Sequence, residues 1–239
     1  MKKKLLLKYL SIVLLLVLSI LFLLTFGKAA VLITYIEFGV GSCEKIPVLC
    51  MAPEKTIVTY SRDQKYAREL LSYNSPKIKM GVPEGFTVVE EKIKKVYYKK
   101  NKRLDSGSMI YLLYQEPYFF INLFPQLKNR GIRDDYDFIS RTMNAKIKNI
   151  KTLTDAFFVI MKGIFIPDLG DQKRLKMEQF QIGGKKVFIN YTLANPGNYF
   201  DCNVFDKTNG FFKVYIKDRQ ARLDLEKALA VIWTLEKAQ

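Results

Sequence analysis

Seven basic residues crowd into the twelve positions 92–103: Lys92, Lys94, Lys95, Lys99, Lys100, Lys102 and Arg103. Tyr97 and Tyr98 interrupt the run. Cations interleaved with aromatic rings can neutralise a row of phosphates while the rings stack on bases or sugars. The same set can hold anionic lipid head groups beside a membrane. It is also what an edge hairpin carries when its lysines keep other strands from pairing with it. The solvated-edge reading comes first, contact with an anionic lipid or acidic polymer second, and nucleic acid a distant third.

Carboxylates gather in two places, Asp134, Asp135 and Asp137 in one and Asp168 with Asp171 in the other. Paired carboxylates hydrolyse glycosides, and oxygen-rich loops hold calcium. The first group falls where a helix is expected to begin, and acids there complement the helix dipole. The second flanks a Pro/Gly turn. The chain has no histidine. That removes Ser-His-Asp and Cys-His catalysis, histidine general bases and the commonest zinc sites. Glycine-rich phosphate loops, zinc spacings and nucleophile elbows are missing from the sequence as well. The reading names no catalytic residue, no metal site and no cofactor.

Cys43 and Cys50 are separated by six residues that include Pro47. Outside the cytoplasm two such thiols can close a small disulfide loop; the alternative is a mobile linker with both reduced. Cys202 lies in a strand-like segment and reads as a buried thiol. Asn190-Tyr191-Thr192 matches a glycosylation acceptor but falls inside an expected strand, so it is read as chance.

The elements that must position these groups begin with a membrane segment. From Tyr9 to Phe26 there are 18 uncharged residues, mostly Leu, Ile, Val and Phe. Counted from Leu5 and tolerating Lys8, the run is 22 residues, about 33 Å of helix against a hydrocarbon core of about 30 Å. Lys2, Lys3, Lys4 and Lys8 precede it and only Lys28 follows closely. The positive-inside rule therefore expects a cytoplasmic N-terminus and a periplasmic or extracellular C-terminal part. A cleaved signal peptide is the rival, but its apolar core normally runs about 7–15 residues. Val40-Gly41-Ser42-Cys43 faintly resembles a lipobox yet lies far beyond the apolar run.

The expected organisation is a basic tip and transmembrane signal anchor over 1–28, a connector over 29–77, and an exported domain over 78–239. Within the connector, Ser61 to Gln64 has capping-box form and starts a short helix near 61–73. Strands are expected at Thr87–Val89, Ile93–Lys100, Met109–Tyr114 and Tyr118–Phe124. Helices follow from Asp134 or Asp135, and from Thr152 or Thr154 towards Pro167. Four more strands, 176–182, 185–193, 199–205 and 211–216, are separated by Gly183-Gly184, Asn195-Pro196-Gly197 and Asn209-Gly210, which suit antiparallel hairpins. An amphipathic helix after Asp218 closes the chain. The fold class is α+β: an N-terminal transmembrane helix, then one globular domain with a largely antiparallel sheet flanked by helices.

This order of elements resembles the PsbP-like family of α/β/α sandwich domains. Val82-Pro83-Glu84-Gly85-Phe86 looks like that family's opening turn into its first strand. Gly183-Gly184-Lys185 with Phe188-Ile189-Asn190-Tyr191 looks like its central hairpin. Asn209-Gly210-Phe211-Phe212 and the terminal Ile232-Trp233-Thr234-Leu235 look like its last strand and closing helix, although Thr234-Leu235 stands where the family has Ser-Phe. The resemblance covers about residues 78–237 and implies an accessory, scaffolding or binding domain. It carries over no functional residue.

A net charge of +16 favours anionic partners or solubility beside a membrane. The expected function is a membrane-tethered, non-enzymatic accessory or binding domain acting through protein partners in the cell envelope. The alternative is a binder of anionic lipid head groups or acidic polymers through the hairpin 92–103.

Overall fold

The computed structural model describes residues 15, 27–59, 64–74, 78–92, 95–100, 107–167, 169, 171–194, 197–206 and 210–238. The chain is α+β, with antiparallel sheets flanked by helices. The expected anchor over 9–26 lies outside the described residues except for Leu15, which is helical. Among the described residues, no helix is long and apolar enough to cross a membrane.

In chain order the elements are α1 (Lys28–Gly39), β1 (Glu54–Thr59), α2 (Gln64–Glu69), β2 (Leu71–Asn74), β3 (Ile78–Val82), β4 (Phe86–Lys92), β5 (Lys95–Lys100) and β6 (Met109–Gln115). Then come α3 (Phe119–Leu123), α4 (Asp135–Asn144), α5 (Leu153–Phe165), β7 (Lys176–Ile182), β8 (Lys185–Ala194), β9 (Gly197–Asp206), β10 (Gly210–Asp218), α6 (Leu225–Trp233) and β11 (Glu236–Lys237). The main sheet has eight strands in the order β1-β7-β8-β9-β10-β6-β5-β4. Its neighbours are antiparallel apart from the β1–β7 pair. A second sheet, β11-β3-β2, is antiparallel.

The period-2 alternation of β10 explains why two cores form. Phe212, Val214 and Ile216 enter one core with α6 and β3, whereas Phe211 joins the other with α4 and α5. The first core also takes Ile110, Leu112 and Val204; the second takes Phe120, Phe138, Phe158 and Phe188. Phe120 and Phe138 stack with centroids 4.3 Å apart, a contact worth about 0.5–1.5 kcal/mol beyond the burial itself. Gly183 and Gly184 both have positive φ, +53° and +82°, as the two-residue turn between β7 and β8 requires.

Helix starts follow their caps. Asp134 accepts from Asp137 N at 2.7 Å and begins α4. Thr152 and Asp155 form a reciprocal capping box on α5, with Asp155 N to Thr152 Oγ1 at 3.1 Å and Thr152 N to Asp155 Oδ2 at 2.9 Å. The closing helix starts later than Asp218, because Asp224 caps it. Asp218 is buried and organises the intervening loop, accepting from Arg222 N at 2.7 Å and Leu223 N at 2.8 Å.

Three expectations are corrected. The stretch 118–124 is a helix followed by a 3₁₀ turn (Pro125–Arg130), where a strand is expected. The cause is remote: the Asp135 carboxylate accepts from Phe119 N at 3.0 Å and Phe120 N at 2.8 Å and so holds the first turn of α3. The helix near 61–73 stops at Glu69, and Leu71–Asn74 instead pairs with β3; Ser61 lies outside the described residues. The connector expected over 29–77 is part of the fold. Ile36, Val48 and Leu49 are buried in the second core, and β1 extends the main sheet as a parallel edge strand. Pro47 opens the 3₁₀ turn Pro47–Cys50 that carries Val48 and Leu49 inward.

Candidate functional site

The basic hairpin occupies one end of the main sheet, with β4 as its terminal strand. Its register pairs Lys92 with Lys95, Tyr97 with Glu90, Tyr98 with Val88 and Lys99 with Thr87, and Lys100 faces Phe86. Lys94, Lys102 and Arg103 lie outside the described residues. The pairing sets Glu90 and Glu91 across from the basic strand, opposite Tyr97 and Val96. Charge of both signs therefore shares this hairpin. The linear count of seven cations does not convey that.

Cys43 and Cys50 are joined by a disulfide with a Cα–Cα distance of 5.7 Å, within the span such a bond requires. Both pack partly buried against the second core beside Ile46. Cys202 is fully buried, and burial, with help from the Asp201 charge, pushes its thiol well above the ordinary range. Of the carboxylates, Asp134 is the cap described above, while Asp137 pairs with Arg133 at 2.6 Å. Asp171 caps the turn Gln172–Arg174 through Lys173 N at 3.1 Å. Asp168 lies outside the described residues. Among the described residues, no group of His, Cys, Asp or Glu is arranged to hold a metal ion.

A cleft of about 500 Å³ opens where the ends of strands β6–β10 meet the start of α4. The loop after β6 supplies Pro117 and Tyr118, the start of α4 supplies Asp134, Asp135 and Tyr136, and the β7–β8 and β9–β10 ends supply Lys186, Phe205 and Asp206. Tyr118 has φ +65°, a left-handed backbone rarely adopted by a bulky residue and commonest where a site imposes it. The residue is 56% exposed. Tyr136 is fixed on three sides. Its hydroxyl accepts from Gln179 Nε2 at 3.0 Å, its ring stacks on Phe188, and Lys186 Nζ sits 4.1 Å over its centroid. A cation over an aromatic face is held by the ring quadrupole. Asp135, which lines the cleft, is buried; that burial raises its carboxyl pKa, and the backbone N–H groups of Phe120, Phe119 and Tyr118 pull it back. The arrangement offers aromatic faces, one cation and acceptors at fixed positions, a chemistry suited to gripping a peptide or side chain.

Sequence reasoning missed Tyr118, Tyr136, Lys186 and Asp206. A signal existed in the turns. In an antiparallel meander alternate turns share one end of the sheet, so Gly183-Gly184 and Asn209-Gly210 belong together. The end of β6 joins them because Phe211 pairs with Gln115.

Two lysines, Lys213 partly buried and Lys162 buried, lie apart from this cleft. Lys213 Nζ meets Asp201 Oδ1 at 2.6 Å, and Asp201 is fully buried. Asn190 Nδ2 donates to Asp201 Oδ2 at 3.1 Å, and Lys213 also donates to Asn203 Oδ1 at 3.2 Å and Phe165 O at 3.3 Å. The network ties β8, β9 and β10 to the end of α5. Lys162, buried on α5, donates to Met51 O at 2.6 Å and Ala145 O at 2.9 Å. Burial, with a smaller push from Lys146, lowers its ammonium pKa to about 7.

No family model and no curated protein sequence matches this chain.

Proposed function

We propose that this chain is a membrane-tethered, non-enzymatic binding domain that acts through protein partners in the cell envelope. The apolar run 9–26 holds it in the membrane, with the N-terminus cytoplasmic and the folded part periplasmic or extracellular. The cleft at Tyr118 carries the partner half of this reading. An exposed tyrosine in a costly backbone conformation, a second tyrosine under Lys186 and a nearby acid are the residue types that dominate protein-interface energetics. The carboxylates of Asp134 and Asp135 are committed to main-chain N–H groups and serve to shape the cleft. The length of the apolar run and the lysines before it support the tether half. The resemblance to the PsbP-like family points the same way, since its members are mostly accessory domains. Crosslinking in native membranes followed by mass spectrometry tests the proposal. A reproducible protein neighbour is expected, and recovery of none contradicts it.

A second reading gives the hairpin 92–103 a role in binding anionic lipid head groups or acidic polymers. The observation that favours it is the terminal place of β4, which puts the hairpin at one edge of the main sheet's strand order. Binding of the purified chain to heparin-like polymer should weaken steeply with salt. Replacing Lys94, Lys95, Lys99 and Lys100 by Gln should abolish it with the fold intact; binding that survives assigns the contact elsewhere.

A further inference from the structure

We infer that the start of α1 and the start of α5 together form a binding site for an anionic phospholipid of the bilayer that holds the chain. An apolar pocket of about 600 Å³ lies between these two helix starts, lined by Val31, Leu32 and Leu153 and flanked by Lys28 and Lys151. Leu153 is 76% exposed and Val31 68% exposed. Large aliphatic side chains bared to this degree, side by side and rimmed by cations, lose free energy in water and gain it against acyl chains.

The place of the pocket in the chain selects the occupant. The apolar run ends at Phe26, and the backbone is helical at Gly27 and from Lys28 on. With one peptide step and then about 1.5 Å of rise per residue, Val31 lies within roughly 10 Å of Phe26. The headgroup layer is about 5–8 Å deep on each side of the hydrocarbon. A chain inserted through 9–26 therefore carries Lys28 and Val31 into that layer or to its outer boundary, and Leu153 and Lys151 arrive with them because they line the same pocket. The two ammonium groups then meet phosphate while Val31, Leu32 and Leu153 meet the upper acyl chain, the division of labour that long cationic side chains adopt at membrane interfaces. This site is separate from the hairpin 92–103, and it rests on the tethered reading.

The test uses the full chain reconstituted in vesicles of phosphatidylcholine and phosphatidylglycerol, with brominated lipid as the quencher. Trp233 is the single tryptophan, so a Trp233→Phe background accepts one reporter at a time. Leu153→Trp reports the pocket and, being an exposed position, leaves the packing undisturbed; Leu15→Trp reports the anchor. Leu15→Trp is expected to be quenched by bromine placed mid-chain, and Leu153→Trp by bromine near the carbonyl end. For Leu153→Trp, brominated phosphatidylglycerol should quench better than brominated phosphatidylcholine at equal content. Each lysine contributes about fivefold in local enrichment of the anionic lipid, so Lys28→Gln with Lys151→Gln should remove the preference. Quenching of Leu15→Trp without quenching of Leu153→Trp overturns the lipid site and leaves the tether standing. Loss of both signals overturns the tether. Equal quenching by the two lipids overturns the anionic selectivity.

Discussion

Lys213 and Lys162 show how differently one residue type is accommodated. Lys213 is neutralised by Asp201, whose side chain is fully buried while that of Lys213 is 16% exposed. Removing one member of such a pair strands the other's charge, at a cost of about 3–5 kcal/mol. Asp201→Leu is therefore expected to lower stability by that amount in urea unfolding of the detergent-solubilised chain. The double change Asp201→Leu with Lys213→Met should cost markedly less, because no charge is stranded. Equal costs would mean that the ion pair is not what the network rests on. Among the described residues, Lys162 donates to two carbonyls and to no carboxylate. Its pKa falls to about 7 in the fold against about 10.4 in an unfolded chain. Between those values the unfolded state binds more protons, so stability rises with pH from about 7 towards 10. Lys185, also lowered by burial, contributes in the same direction. The rise ends near pH 10, where Tyr66 and Tyr191, both raised by burial first, begin to favour unfolding. Lys162→Met should flatten the slope between pH 7 and 9.5, leaving the part due to Lys185. An unchanged slope would show that Lys162 stays protonated through that range.

Elements were legible where their signals are local. The β7–β10 meander follows from strand-length apolar runs between turn dipeptides, and α4 and α5 follow from Asp134 and Thr152 as caps. Elements that depend on distant partners were not legible. The stretch 118–124 is a nearly continuous apolar run of strand length, but its helix is held by a carboxylate that lies 15 residues on from Phe120. The edge strand β1 is parallel to β7, and nothing between Glu54 and Thr59 specifies a partner more than a hundred residues away. The loop closed by Cys43 and Cys50 belongs to this scale as well. Seven residues apart in sequence, the pair contributes about 2–3 kcal/mol by chain entropy. An impermeant thiol reagent applied outside intact cells should label neither cysteine before reduction and both after it. Cys202 stays silent throughout, because it is buried and its thiol pKa is raised. Full labelling before reduction excludes the disulfide and keeps the orientation; labelling only after the cytoplasmic face is opened reverses the orientation.

At the scale of the whole molecule, one eight-stranded sheet separates two cores and gathers the ends of two hairpins, β6 and α4 around a single cleft. The basic hairpin, the most conspicuous feature of the linear sequence, lies at the far end of the strand order from β1 and β7. The cleft was illegible residue by residue, because its parts come from positions 117 to 210 and none is unusual in isolation. Beyond the two glycine-bearing turns that share its end of the sheet, the mark it carries is the backbone of Tyr118 at φ +65°, a conformation the residue type does not announce. The measurement that bears most directly on the proposal is site-specific photocrosslinking in native membranes, with a photoreactive phenylalanine analogue at position 118 and a second at the exposed Lys173 outside the cleft. One reproducible protein adduct is expected from position 118, absent from position 173 and lost when Lys186→Glu is added. An identical adduct pattern from both positions, or none from position 118 while the chain remains in the membrane, would contradict it.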